Sequence, residues 1–273
     1  MDFRRIRTLH GPNYWANFPV LEAVVDLGEL RDRSSEMLPG FNDRLRTWLP
    51  SLIEHRCSVG ERGGFFQRLE RGTYMAHVLE HVTLELQTLA GSQCGFGRAR
   101  ELEEDGVYKV AIQYEEESLA RHCLETGRRL VLAAVHDHPF EVETELKQLR
   151  ELSYDVRLGP STFAIVRAAK ARSIPFRRLN KSSLVQIGHG SKARRICTAE
   201  TDRTSAIAES IAQDKELTRK LLRAAGIPVP DGRPVETAEE AWRVAQELGL
   251  PVVVKPQFGN HGDRKSTRLN SSH

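Results

Sequence analysis

The chain has 273 residues, with 40 Lys+Arg against 37 Asp+Glu, a formal net charge of +3 and 40% hydrophobic residues. At roughly 100–200 residues per domain this is one large domain or two ordinary ones, and the composition is globular, neither disordered nor collagen-like. Interspersed charges leave no concentrated basic face and so no case for a nucleic-acid binder. The longest apolar stretch, residues 130–135, is too short to cross a bilayer. The first seven residues have no apolar core of a secretory signal, and Cys57, Cys94, Cys123 and Cys197 are widely spaced with no CxxC pair. These features predict a cytoplasmic protein with reduced thiols.

In chain order, the strand-like run Ala23-Val24-Val25 lies in residues 21–30, and residues 41–54 read as a helix. A glycine-rich turn at 60–64 leads to a long helix over about 73–90, stopped by Gly91. Met75, Leu79, Val82, Leu86 and Leu89 give that helix one apolar stripe at 4-3-4-3 spacing. The pattern then predicts a strand over 107–114, a helix over 116–128, a buried strand over 130–135 and an amphipathic helix over 141–152.

A boundary near Gly159-Pro160 closes a first domain over 1–158. After it comes a helix capped by Ser161 or Thr162 and running to about Arg172, then short strands at 176–179, 184–187 and 195–198. A helix capped by Asp214 closes at Gly226, another over 237–248 ends at Gly249, and residues 251–255 form a strand. The expected class is α/β, an α+β first domain followed by an α/β layer fold over 159–262.

The last eleven residues, from Asp263 to His273, are the in-frame translation of a common sequencing adapter and enter directly after Gly262 of a glycine-bearing loop. The expectation is native sequence over 1–262 and foreign sequence over 263–273. Without that string the balance is 37 basic to 36 acidic residues, a net charge of +1.

Two lysines carry chemistry in the second half. Lys255 ends an apolar strand and is followed by a loop containing Gly259 and Gly262, where an ammonium and backbone N–H groups can meet one phosphate. Lys215 sits in the first turn of its helix, where the macrodipole disfavours a cation. In the first half, His77-Val78-Leu79-Glu80-His81 puts two imidazoles one helical turn apart, able to reach one metal ion, with Glu80 beside them as base for a bound water. With Met75 at zero and about 100° per residue, His77 and His81 fall near 200° and 240°, opposite the apolar stripe and outside the core. This is the inverted H-x-x-E-H pattern of zinc peptidases, and the alternative is a solvated face of His–Glu contacts. A third ligand remains to be chosen among Glu143, Glu145 and Glu101.

The segment from Asp214-Lys215-Glu216 through Ala225-Gly226-Ile227-Pro228 to Val252-Val253-Val254-Lys255-Pro256 resembles the ATP-grasp ligases. That resemblance implies that Lys215 and Lys255 contact ATP phosphates, that Gly259 and Gly262 open a loop over them, and that an acyl phosphate is made with Mg²⁺ held by carboxylates further on. Gly11-Pro12-Asn13-Tyr14-Trp15, Gly63-Gly64-Phe65, the helix through His81, Gly95-Phe96-Gly97-Arg98, Leu158-Gly159-Pro160 and Gln186-Ile187-Gly188-His189-Gly190 resemble, in order, the cyanophycin synthetase family. The resemblance implies polymerisation of aspartate and arginine into cyanophycin, a second arginine-adding domain and P-loop not seen here, and homotetramers. In some members it implies an N-terminal zinc hydrolase that trims polymer into primers. The run Lys192-Ala193-Arg194-Arg195 is a candidate contact for such a polymer. Another ATP-grasp peptide ligase, or a non-catalytic polymer-binding N-terminal domain, are the alternatives.

Overall fold

A computed structural model describes residues 1–259 and 267–269, the last three by backbone alone. The chain divides into two compact units, Met1–Leu158 and a second that begins at Gly159. Both mix helix and sheet, the α/β class expected from the pattern.

The first unit is a four-stranded antiparallel sheet with helices packed on one face. Its strands are β1 (Asp2–Leu9), β2 (Val20–Asp26), β3 (Gly97–Glu101) and β4 (Val107–Gln113), in the order β1-β2-β4-β3. Leu21 lies opposite Ile112, Ala23 opposite Val110 and Val25 opposite Tyr108, all in the core. This is the period of two that sends alternate residues to one face. On the other face Glu22 is buried and accepts from Arg7, Tyr14 and the Trp15 indole. Neither β1 nor β3 is legible from an apolar run, because both are edge strands rich in arginine.

The helices are α1 (Phe41–Trp48), α2 (Gly64–Arg71), α3 (Met75–Leu89), α4 (Glu117–His136) and α5 (Val142–Val156). Pro50 ends the helix expected over 41–54 and begins a short 3-10 turn, Pro50–Glu54. The expected strand at 130–135 is instead the last part of α4. Leu119, Cys123, Leu124, Leu130, Val131 and Ala134 continue one buried helical stripe without a break. A six-residue apolar run cannot distinguish strand from buried helix. The helix α3 is also not the one-faced helix of the wheel. Nearly all of Met75 to Gln87 is buried, including Glu80, His81, Thr83, Glu85 and Gln87.

In the second unit, α6 (Pro160–Ala171) starts with Pro160 in its first turn and has no side-chain cap. Pro supplies a helix-ready φ where no N–H partner is needed, so neither Ser161 nor Thr162 caps it. Thr162 is buried and donates to the Thr198 carbonyl at 3.0 Å. A second antiparallel sheet follows, ordered β5 (Phe176–Arg178), β6 (Leu184–Ile187), β7 (Arg194–Cys197) and β8 (Glu200–Thr201). Then come α7 (Ala206–Gln213), α8 (Lys215–Ala224), α9 (Ala238–Leu248) and β9 (Val252–Val254). Asp214 caps α8 by accepting from the N–H groups of Glu216 and Leu217, and Thr237 caps α9. Strand β10 (Thr267–Leu269) pairs antiparallel with β9.

Candidate metal centre and phosphate-facing loop

The centre is assembled by α3 and the turn before α2. That turn is clamped. Phe65 N–H donates to the His55 carbonyl at 3.0 Å, and Gly64 lets α2 start against the Arg56 carbonyl, 2.0 Å from where a Cβ would stand. The clamp holds Cys57 at φ +49°, a left-handed conformation that costs a non-glycine residue about 1–2 kcal/mol. Cys57 Sγ then lies 3.2 Å from His77 Nε2, and His77 Nδ1 lies 3.3 Å from Glu80 Oε2. Candidate ligand atoms of Cys57, His77 and His81 all fall within 4.8 Å of one another. Sulfur plus two imidazoles with room for a fourth group is a donor set that suits tetrahedral zinc.

A relay orients His81. Glu85 Oε2 lies 2.7 Å from His55 Nε2, and His55 Nδ1 lies 2.8 Å from His81 Nδ1. With His55 donating to the carboxylate, its Nδ1 accepts from His81, and the other nitrogen of His81 keeps its lone pair for a metal. Burial, then the positive charge of His77, holds His81 well below the usual histidine range. Phe65 forms an apolar wall, its ring 4.5 Å from that of His81.

The thiol and His77 form a coupled pair. Burial opposes charge on both. It is outweighed at Cys57 by the His77 hydrogen bond and charge, which bring the thiol below its ordinary value. At His77 it is outweighed by hydrogen bonds to Cys57 and Glu80, which push the imidazole up to about 9. Glu85 sits below the usual carboxylate range because its bonds to His55 and Ser51 overcome burial. The site opens into a cleft of about 700 Å³ lined by Cys57, His77, Glu80 and His81 on one side and Gly97 to Ala99 of β3 on another.

The structure does not bring the expected third carboxylate to the histidines. Glu143 is exposed on α5 with Arg150 at 3.8 Å. Glu145 pairs with Arg129 at 2.6 Å, and Glu101 bonds Tyr108. None of the three lines the cleft. The residue that lies with the two histidines is Cys57. Its signal in the sequence was the pairing of His55 and Cys57 directly before the Gly60–Gly64 turn.

In the second unit Lys215 opens α8, and its Nζ donates to the Gly259 carbonyl at 2.6 Å. Its N–H donates to the Gln257 carbonyl at 3.1 Å, and Gln257 Nε2 donates to Asp214 at 3.0 Å. The loop after β9 is thus tied to the start of α8. Lys255 is exposed at the end of β9, and Gly259 has φ +101° with open space around it. Gly262 lies outside the described residues.

A helix with paired imidazoles over a sheet edge, followed by a lysine-bearing strand and loop, defines a two-part chain. Residues 22–136 match the cyanophycin synthase-like N-terminal domain, and residues 207–265 match an ATP-grasp domain. Over 277 residues the chain is 39% identical to a cyanophycin synthetase of Crocosphaera subtropica, covering 99% of this chain and 32% of that protein. It is 40% identical over 268 residues to one of Synechocystis sp., covering 96% of this chain and 31% of that one. A stretch of 50 residues, 18% of this chain, is 48% identical to 15% of a D-alanine–D-alanine ligase of Acidovorax ebreus. The chain therefore resembles cyanophycin synthetases along nearly all its length and spans about a third of theirs.

Proposed function

We propose that this chain is part of an ATP-dependent ligase that polymerises aspartate and arginine into cyanophycin, and that its first unit is a zinc hydrolase of that polymer. The ligase reading rests on similarity to cyanophycin synthetases over 96–99% of the chain. The hydrolase reading rests on one observation, the convergence of Cys57, His77 and His81 in a cleft beside Glu80.

Cys57, His77 and His81 would hold the zinc ion, which supplies a water of lowered pKa and a Lewis acid for the scissile carbonyl. Glu80, buried and bonded to His77, takes a proton onto its carboxylate and delivers it to the departing amine. Glu85 and His55 fix the ring of His81, and Phe65 keeps water from its face. The test is zinc content and polymer cleavage. We expect one zinc per chain in the parent, loss of zinc in Cys57→Ser and His81→Ala, and retained zinc without cleavage in Glu80→Gln. Unchanged zinc content in the ligand variants sinks the metal site, and polymer binding without metal or cleavage leaves a binding platform.

In the second unit Lys215 and Lys255 contact ATP phosphates, with Gly259 and Gly262 in the covering loop. The carboxylates that hold Mg²⁺ lie outside these residues, so the 273-residue chain alone does not ligate. Aspartate-dependent ATP hydrolysis by it would overturn this. The short likeness to a D-alanine–D-alanine ligase favours a second reading, a different peptide ligase, which alanine-dependent hydrolysis by the longer protein would reveal. The setting is the cytoplasm and the longer protein a homotetramer, which its mass in solution checks.

A further inference from the structure

The cleft of the metal centre is bordered by a sheet edge that, among the described residues, has no partner strand. Strand β3 is the last in the order β1-β2-β4-β3. The Phe96 carbonyl accepts from Gln113 N–H at 2.9 Å, and Leu102 N–H donates to the Val107 carbonyl at 2.8 Å. In an antiparallel ladder the residues that bond the neighbour alternate with those that do not. Residues 96, 98, 100 and 102 therefore face β4 with their backbone groups, while Gly97, Ala99 and Glu101 turn theirs outward.

That outward row passes over the catalytic helix. A Cβ on Gly97 would stand 2.3 Å from Glu80 Oε1, so glycine alone lets the strand lie this close to the carboxylate. Gly97 and Ala99 line the same cleft as Cys57, His77 and His81. Along that edge, among the described residues, the Gly97 carbonyl takes a bond from the Arg98 guanidinium at 3.1 Å.

The face beyond the edge is basic. Arg98 and Arg100 are exposed, and among the described residues neither forms an ion pair with a carboxylate. Arg98 lies 5.4 Å over Phe96 and Arg100 5.3 Å over Trp15, while Lys109 lies 5.9 Å over Tyr14. A guest strand paired to the outward row would place every second side group beside Arg98 and Arg100.

We infer that the free edge of β3 is a peptide-docking rail, on which an extended polypeptide bearing carboxylates pairs with Gly97, Ala99 and Glu101 and passes the Cys57–His77–His81 cluster, with Arg98 and Arg100 reading its alternate carboxylates. The role of the rail in delivering substrate rests on the hydrolase reading, but docking itself does not. Main-chain pairing supplies affinity and the arginines supply selectivity, as in other strand-addition modes.

The experiment is fluorescence anisotropy of fluorescein-labelled deca-aspartate with the full chain, in chelator so that nothing is cut. Ala99→Pro removes an outward N–H without breaking a ladder bond to β4. We expect it to weaken binding at least tenfold with the melting temperature of the first unit unchanged. Arg98→Glu with Arg100→Glu is expected to do the same, and deca-asparagine to bind at least tenfold more weakly. Deca-aspartate N-methylated at alternate residues keeps its charge and probes the rail even if Ala99→Pro fails to fold; it should also lose at least tenfold. Equal binding of the N-methylated and plain peptides, or of the charged and uncharged ones, overturns the rail. Ala99-dependent binding by a chain that never cuts polymer keeps the rail and discards the hydrolase. Parental cleavage rates in a folded Ala99→Pro chain discard the rail and keep the hydrolase.

Discussion

In the first unit Phe65, Leu79, Val82 and Leu124 are closed to solvent, whereas in the second Ile207 is 74% exposed, Val253 57% and Leu221 46%. Among the described residues of the second unit the buried apolar side chains are Val166, Ala169, Val185, Ile196, Val244 and Ala245. The difference decides what chemistry each unit can hold. A dry interior strengthens every hydrogen bond and makes an unpaired polar group costly, so Glu80, His81 and Glu85 persist in the first unit only as members of a connected network. In the second unit the candidate residues lie at the surface. Lys215 and Lys255 meet solvent, and the loop after β9 is fixed by a few polar bonds to Asp214 and Lys215 rather than by packing.

Truncation of matched leucines tests this contrast most strongly. Leu79→Ala, on the core-facing side of α3, should cost about 2–5 kcal/mol. Leu221→Ala, on an exposed part of α8, should cost less than about 1 kcal/mol. Urea unfolding separates them, since Trp15 and Trp48 report the first unit and Trp242 the second. Equal losses would mean that burial does not divide the units.

Two smaller substitutions probe the network. Gly97→Ala drives a methyl group into Glu80, and overpacking of this kind costs about 1–3 kcal/mol. It should also displace the base, so zinc is kept while cleavage falls; normal cleavage would show that Glu80 has room to move. Glu85→Gln weakens the relay to His81 and should cost about 1–2 kcal/mol at pH 7. The Glu85 carboxyl lies below its ordinary value in the folded state. Its contribution is therefore present above the unfolded carboxylate range and is lost as pH falls through the lowered folded value. The stability gap between parent and variant should close on acidification below about pH 4. A gap that widens there contradicts the relay.

The legible parts were those set by local pattern. The two histidines one turn apart, the Asp214 cap, the strand before Lys255 and most helix positions follow from spacing and capping chemistry. The missed parts are set by what the fold brings alongside. A helical wheel sees one apolar stripe on α3, but its polar side is covered by β3 and by the turn that carries Cys57, and the polar residues there are buried because they bond one another. Cys57 reads as an ordinary thiol until that turn places it 3.2 Å from His77. Glu143 was attractive as a downstream carboxylate, yet which surface α5 offers to α3 depends on packing. Arginine-rich β1 and β3 are hidden because an edge strand needs little apolar content.

The weakest expected effect lies at Lys215. Its ammonium bonds the Gly259 carbonyl at 2.6 Å from an exposed position, a gain that solvent largely cancels. Its place in the first turn of α8 opposes the helix dipole by a few tenths of a kcal/mol. Lys215→Met removes both, so the two terms offset and urea stability of the second unit should change by less than about 0.5 kcal/mol. The loop should respond instead. Hydrogen exchange at residues 257–259 should quicken while exchange in the first unit stays constant, and ATP should protect the loop in the parent but not in the variant. A large fall in stability would make Lys215 a structural clamp, and equal protection by ATP in both would remove it from the phosphate site. Either result would erase the contrast between a unit held together by its core and one whose loop is held by a few polar bonds to the start of a helix.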